Sequence, residues 1–208
     1  FTSCCPGWVR FLKSEYPQLT DNLSTAKSPQ QMFGAVAKTY FADKADIDPK
    51  KIFCLSIMPC LAKKQECALP HMNDAGAGQD VDVSITTREL DRLLRACHVD
   101  VNSLEDEEFD KPLGISTGAG VIFGVTGGVM EAALRSAYFL VTGENPDPDA
   151  FSGVRSMEGW REATYTIDET PVRVAIANGL RNTRKLVEAV LRGDVTYDFV
   201  EIMACPGG

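Results

Sequence analysis

Three stretches of the chain place cysteine beside proline: Cys4-Cys5-Pro6, Pro59-Cys60 and Cys205-Pro206. Thiolates are soft anionic ligands, and three of them gathered at one sheet edge would serve an iron–sulfur cluster. In the middle stretch, Ser56-Ile57-Met58-Pro59-Cys60-Leu61-Ala62-Lys63-Lys64, the apolar run from Ile52 to Ile57 reads as a buried strand. Pro59 ends its ladder for want of an N–H, and the residues after it favour helix. Cys60 is therefore expected at a strand-to-helix junction, where backbone N–H groups and the helix dipole favour a thiolate. Lys63, one turn later, adds positive charge on the same side. A buried structural cysteine at a strand end explains the same residues equally well. Cys60 and Cys205 each follow a strand and a methionine, so Met58 and Met203 suit soft apolar cover, and Cys5 precedes a helix. No CxxC pair occurs, which argues against a zinc ribbon or a thioredoxin-like motif. By spacing alone, a metal site and scattered structural thiols both stand open.

The elements that must position these residues are signalled locally. Pro6 suits the first turn of a helix from Trp8 to Tyr16, which Pro17 ends. Ser28-Pro29-Gln30-Gln31 has the form of a capping box, after which Met32, Ala35, Val36, Thr39 and Tyr40 share one helical face. Val81, Val83 and Ile85 alternate with Asp80, Asp82 and Ser84 as in a half-exposed strand. Thr86-Thr87-Arg88-Glu89 is a second capping box, followed by Leu90, Leu93, Leu94 and Cys97 on one face. Cys97 thus reads as core filling, as does Cys54 inside its strand. Gly114 to Gly128 is glycine-rich, but Phe123 stands where a dinucleotide fingerprint needs a glycine, so it is not read as a nucleotide loop. A helix from about Val129 to Val141 follows. Arg161 to Ile167 and Val172 to Ala177 pair around Asp168-Glu169-Thr170-Pro171. A helix from Leu180 to Arg192 stops at Gly193, and a strand from Tyr197 to Ile202 delivers Cys205. This alternation predicts an α/β fold with largely parallel sheets flanked by helices.

With 208 residues, 44% of them hydrophobic, the chain can bury a real core as one large domain or two lobes. Its net charge of −8 argues against a nucleic-acid partner, because phosphate binding needs a basic face. No run of 18 apolar residues exists to span a membrane. Seven cysteines, odd in number and widely spread, suit reduced thiols or metal ligation rather than a disulfide scaffold. The expected compartment is the cytoplasm, with the periplasm as the second possibility for a chain whose N-terminus is missing.

Thr2-Ser-Cys-Cys-Pro-Gly-Trp8, Met58-Pro-Cys-Leu-Ala-Lys63 and Glu201-Ile-Met-Ala-Cys-Pro-Gly-Gly208 resemble, in this order, the three signature motifs of the iron–iron (FeFe) hydrogenases. The likeness extends to Ser28-Pro-Gln-Gln-Met-Phe33 and to the glycine-rich segment. It implies two α/β lobes, divided near residues 100–115, with the H-cluster in the cleft between them. That cofactor is a 4Fe–4S cubane joined through a cysteine sulfur to a two-iron subsite with CO, cyanide and a bridging dithiolate. Cys5, Cys60 and Cys205 match three of the cubane ligands. The family's fourth ligand follows the Gly-Gly of the third motif. A chain that starts on the first motif and stops at Gly208 is expected to be an excerpt of a longer protein, inactive without that cysteine.

The resemblance also assigns roles around the cofactor. Cys4 matches a thiol that relays protons between solvent and the dithiolate amine, a task suited to a group that exchanges a proton near neutral pH. Ser24 matches a hydroxyl on the outward proton path, and Lys63 the ammonium that hydrogen-bonds a cyanide. Pro29, Gln30 and Phe123 match residues lining the same pocket, alongside Met58 and Met203. The implied reaction is the reversible reduction of protons to dihydrogen. Electrons would come from a ferredoxin-like partner or from additional iron–sulfur domains or subunits. The alternative is a non-catalytic relative, a hydrogen sensor or an iron–sulfur assembly factor that binds only a cubane. Such relatives tend to depart at the relay cysteine, the lysine or the pocket residues, so Cys4, Lys63 and Gln30 favour catalysis.

Overall fold

The computed structural model describes residues 1–155 and 159–208. Its elements are α1 (Pro6–Glu15), α2 (Pro29–Val36), α3 (Ala42–Lys44), β1 (Leu55–Ile57), α4 (Ala62–Cys67), β2 (Val83–Ile85) and α5 (Thr87–Ala96), then α6 (Gly118–Ile122), α7 (Gly128–Thr142), β3 (Trp160–Ile167), β4 (Thr170–Asn178), α8 (Leu180–Arg192) and β5 (Phe199–Met203). Phe1–Thr25 together with Ser116–Gly208 forms one unit, and Ala26–Ile115 forms another. None of the helices among the described residues is long and apolar enough to cross a membrane.

The first unit is organised by a sheet of order β3-β4-β5. β3 and β4 are antiparallel, and β4 and β5 parallel. Ile167 pairs with Thr170, so the hairpin loop is Asp168-Glu169 alone. Both residues have positive φ, 46° and 64°, the handedness that lets a two-residue loop follow the strands' twist. β4 is the central strand, and its second half, Val174 to Asn178, is buried on both faces. Ala175 and Ala177 pack with Trp8, Leu12, Leu186, Val187 and Ile202, beneath α1 and α8. Val174 and Ile176 pack with Met130, Leu134, Phe151 and Val154, beneath α7. Helices on both faces of a sheet with a parallel pair give the α/β architecture its core. α8 ends at Gly193, whose φ of 77° closes the helix in the left-handed region.

α7 also carries a buried carboxylate, Glu131. Arg155 grips both its oxygens, at 2.6 and 2.7 Å, and Arg135 adds a bond of 3.0 Å. The Arg155 guanidinium is the main cause that holds the Glu131 carboxyl below its usual range, against the opposing pull of burial. A carboxyl depressed in the folded state contributes stability above its unfolded pKa and loses it as pH falls through the folded value. Glu131→Gln is therefore expected to lower stability by about 1–2 kcal/mol at neutral pH, the low end for charged hydrogen bonds because Arg155 is half exposed. Urea unfolding should show that difference shrinking below about pH 4.

The second unit holds a short parallel pair, β1 and β2, in register Leu55↔Val83 to Ile57↔Ile85. Its interior is unusually polar, and several expectations change there. The strand expected over Ile52 to Ile57 is confined to Leu55–Ile57 and is not buried, with Phe53 69% exposed. On α2 and the helical turns that continue it, the buried residues are Gln31, Gly34, Ala37 and Lys38. The expected apolar stripe faces outward instead: Met32, Val36 and Tyr40 are exposed. The reason is packing against the chain before β2. A Cβ on Gly34 would stand 2.4 Å from the Asp80 carbonyl oxygen, so the helix backbone lies directly on that segment. Lys38 lies one turn further on the same face and pairs with Asp82 at 2.8 Å. On β2, Ser84 points inward and Val83 outward, opposite to the expected alternation. Thr86 and Glu89 form the complete capping box of α5. Cys97 is exposed at the end of that helix rather than filling a core, and Cys54 is half-buried just ahead of β1.

Candidate functional site

In the first unit, the first motif is fastened along β5. The Thr2 amide donates to the Val200 carbonyl at 2.9 Å, and the Thr2 hydroxyl accepts the Ile202 amide at 3.1 Å. The Trp8 indole N–H donates back to the Thr2 carbonyl at 3.0 Å. Cys5 then stands at the N-cap of α1 with extended backbone, ahead of Pro6. Its sulfur does not cap the helix. It accepts the Ala204 backbone N–H at 3.3 Å, which sets it beside the residue preceding Cys205. Gly7 keeps this approach open, since a Cβ there would meet the Ala204 Cβ at 3.1 Å. Cys4 is half-buried and Cys205 exposed. Ser24 is exposed, and its amide donates to the Phe1 carbonyl at 2.8 Å.

The third motif is held by residues that the sequence does not advertise. The Gly179 N–H is shared between the Met203 and Cys205 carbonyls, at 2.9 and 3.0 Å. The Asn178 side-chain oxygen accepts the Gly207 amide at 3.1 Å. At Gly208, φ is 93° and a Cβ would fall 1.7 Å from the Thr126 hydroxyl oxygen, so the backbone itself occupies that contact. Thr126 is buried, and its hydroxyl has no hydrogen-bond partner among the described residues. The Glu201 carboxylate accepts the Gly127 and Met130 amides, at 2.7 and 2.6 Å, tying β5 to the start of α7. Burial raises its pKa while the two N–H bonds oppose the rise. A lone acid in the apolar strand Phe199-Val-Glu-Ile-Met203 was the available sign, because side chains alternate across a strand and Glu201 had to face a donor. Phe123 is half-buried at the C-cap of α6, and Met203 half-buried at the end of β5.

In the second unit, β1 leads into the second motif. The Met58 amide donates to the Ile85 carbonyl at 3.0 Å, and the Cys60 amide turns back to the Met58 carbonyl at 2.7 Å. α4 begins only at Ala62, with Leu61 as N-cap. Cys60 thus lies one residue ahead of the cap of α4, and its own N–H is used by the turn. Lys63 is buried rather than spread on a surface and pairs with Glu66, also buried, at 3.5 Å.

Glu66 is the residue the sequence reading overlooked. Its Oε2 accepts the Ser28 hydroxyl at 2.8 Å and the Gln30 side-chain N–H at 2.8 Å. Ser28 is the N-cap of α2 but makes no side-chain cap bond, so the expected capping box is not formed. The partner that claims its hydroxyl is 38 residues away. The Gln30 oxygen in turn accepts from the Ser56 hydroxyl at 2.7 Å, and its amide nitrogen also reaches the Lys63 carbonyl at 3.4 Å. Pro29 sits exposed in the first turn of α2. Within this unit the fold therefore joins Gln30 to Lys63 through Glu66. Within the other it joins Cys5 to the Cys205 segment. Among the described residues, no three His, Cys, Asp or Glu side chains stand grouped as they would around a metal ion.

The model of the family described as "Iron only hydrogenase large subunit, C-terminal domain" matches residues 1–208. The chain belongs to this family. It is 52% identical over 207 residues to the NADP-reducing hydrogenase subunit HndD of Solidesulfovibrio fructosivorans, covering 100% of this chain and 35% of that relative. It is 47% identical over 208 residues to the periplasmic [Fe] hydrogenase large subunit of Nitratidesulfovibrio vulgaris, covering 100% of this chain and 49% of that one. Among solved structures, a variant of [FeFe]-hydrogenase HydA1 from Chlamydomonas reinhardtii matches with a TM-score of 0.81 and 39% identity over 100% of this chain and 59% of that one. Cytosolic iron–sulfur assembly component 3 of Rattus norvegicus is similar at 32% identity over 212 residues, 99% of this chain and 44% of that protein. The chain thus spans between about a third and a half of the curated hydrogenases it matches. The α/β fold expected from the sequence is the fold of this hydrogenase family.

Proposed function

We propose that this chain carries the catalytic core of an iron–iron hydrogenase, which interconverts protons and dihydrogen through an H-cluster, with Cys5, Cys60 and Cys205 as cubane ligands. The observation that supports this most is the Cys5 sulfur accepting a backbone N–H from the residue before Cys205. Amide bonds to sulfur are a main means by which a protein tunes cluster potential. The residues present fit the group. The donor set is soft sulfur, a Cβ on Gly7 would crowd the Ala204 Cβ at 3.1 Å beside Cys5, and the Thr126 hydroxyl next to Gly208 is buried without a partner among the described residues.

When bound, the cofactor supplies electron storage in the cubane and the hydrogen chemistry at its two-iron subsite. The remaining tasks fall to the chain. Cys4 gives and takes a proton at its sulfur, and Ser24 extends that route outward. The Lys63 ammonium would hydrogen-bond a cyanide of the bound group and so help to hold it. Gln30, Pro29, Met58, Phe123 and Met203 would supply apolar and amide cover that excludes water. Electrons arrive from a ferredoxin-like partner or further iron–sulfur domains.

An infrared spectrum of the matured full-length protein that carries this chain tests the proposal. Sharp bands from metal-bound CO and cyanide are the expected result, with iron sufficient for a cubane and a two-iron unit together. Iron for a cubane alone, with no such bands, would instead favour the assembly-factor reading.

A further inference from the structure

We infer that Thr126 is a further cofactor-binding residue: its buried hydroxyl donates to a sulfur of the cluster held by the third motif, and Glu201 keeps it in place. The inference rests on the hydrogenase reading given above, which sets an iron–sulfur group beside Cys205. Thr126 is 5% exposed, and its hydroxyl oxygen has no partner among the described residues. A buried hydroxyl without a bond costs free energy, and valine would fill the same space without that cost. The hydroxyl is not spent locally. α7 has Gly127 as its N-cap and takes no side-chain cap bond, and no described carbonyl of the third motif accepts the Thr126 proton. Its place is defined by Gly208, where a Cβ would stand 1.7 Å from the hydroxyl oxygen and 2.8 Å from the Thr126 Cβ. The hydroxyl therefore lies against bare backbone in the stretch Cys205-Pro206-Gly207-Gly208 that presents a ligand cysteine. A hydroxyl has one proton to give, and the sulfurs of an iron–sulfur cluster carry the negative charge that accepts it.

The turn that carries Thr126 is held on every side. Glu201, fully buried in β5, accepts the Gly127 amide at 2.7 Å and the Met130 amide at 2.6 Å. Gly127 has φ 85°, and a Cβ there would stand 2.2 Å from the Val154 carbonyl oxygen. A Cβ on Gly128 would stand 1.7 Å from the Ile122 carbonyl oxygen. Backbone thus packs directly on backbone around the residue after Thr126, and the threonine cannot withdraw from Gly208. One carboxylate fixes both the residue next to Thr126 and the strand that delivers Cys205, so donor and ligand share a frame. The motif already has one donor aimed at sulfur, the Ala204 amide on Cys5 at 3.3 Å. Thr126 supplies a second on the Gly208 side, and such bonds are a main means of setting a cluster's potential.

The test uses the full-length holoenzyme with Thr126→Val, which keeps the shape and removes the hydroxyl, and Thr126→Ser, which keeps the hydroxyl. Iron content, the cubane's midpoint potential and the iron–sulfur stretches in resonance Raman spectra are measured on the same preparations. A donor to sulfur stabilises the more negative, reduced cluster, so its loss favours the oxidised one. Thr126→Val is expected to hold wild-type iron and to shift the redox equilibrium about tenfold toward the oxidised form, about 59 mV downward for one electron. Thr126→Ser should stay near wild type. A shift of the terminal iron–thiolate stretches identifies a cysteine sulfur as the acceptor, and a shift of the bridging stretches an inorganic sulfide. Glu201→Asp keeps the charge but draws the carboxylate back from Gly127; it should lower the potential in the same direction, and no further in a Thr126→Val background. A further fall in that background would overturn the role given to Glu201. Should Thr126→Val fail to fold, Thr126→Ala removes the hydroxyl with a smaller side chain and should shift the potential the same way. An unchanged potential in a folded, fully loaded variant without the hydroxyl, or a serine variant shifted as far as the valine one, would overturn the inference while leaving the hydrogenase reading intact. A wild-type protein without infrared bands of metal-bound CO and cyanide would overturn the hydrogenase reading and this inference with it.

Discussion

Cys4→Ser is expected to leave iron content close to wild type while lowering hydrogen turnover by at least about 100-fold, the lower end of what a positioned proton-transfer group contributes. The two adjacent cysteines are separated by geometry. Cys5 is committed: its backbone is extended at φ −100° and ψ 104°, and its sulfur accepts the Ala204 amide beside the third motif. Neighbouring side chains on extended backbone point to opposite sides, so Cys4 presents its thiol elsewhere. A serine hydroxyl has nearly the size of a thiol but no ionisation near neutral pH, so it cannot both give and take the proton. Cys5→Ser, by contrast, replaces a soft sulfur with a hard oxygen and should lower cubane occupancy. Iron analysis and hydrogen evolution on the same preparations separate the two outcomes. Equal iron loss in both variants would show that the pair has been assigned the wrong way round.

Lys38→Met is expected to destabilise the second unit by about 3 kcal/mol, the low end for breaking a buried ion pair. Lys38 is 1% exposed. Its ammonium bonds both Asp82 oxygens at 2.8 Å and the Gln79 carbonyl at 2.6 Å. Asp82 also accepts the Cys54 amide at 2.6 Å, so this pair ties the helix after α2 to the residues leading into β1 and β2. Methionine keeps most of the lysine's volume but strands a carboxylate that stays only partly open to water. Burial already pushes the Cys54 thiol up, with Lys38 opposing the rise and Asp82 and Asp80 adding to it. Removing Lys38 should therefore make that thiol still less reactive. Hydrogen exchange in the full-length protein should show protection lost around α2 and β2 but retained in β3 to β5. Lys38→Met combined with Asp82→Leu should recover part of the stability, since no charge is then left unpaired. A double variant as unstable as the sum of the singles would refute the pairing argument.

What the sequence determined by itself is whatever a few neighbouring residues decide. The span of α8 from Leu180 to its stop at Gly193 and the Thr86–Glu89 capping box are satisfied within a turn or two of chain and are present as read, and the hairpin after Ile167 is present with its expected four-residue turn, Asp168 to Pro171, tightened to Asp168-Glu169. The family was legible for a related reason. Its motifs are continuous stretches, and their order survives whatever the fold does with them. Tertiary structure alone decided where buried polar groups find partners. Ser28 had two partners within its chemistry, the first turn of its own helix and a carboxylate 38 residues on, and the buried carboxylate won because a hydrogen bond to a buried charge is stronger than a neutral cap bond. The same rule turned α2 over, setting Lys38 inward against Asp82 and the apolar residues Met32 and Val36 outward. It also made Glu66 and Glu201 organising residues. Each binds groups 36 to 74 residues away, which local pattern does not name. Propensity and periodicity describe a residue's neighbours along the chain, whereas a buried charge is placed by whichever distant donor the fold brings to it.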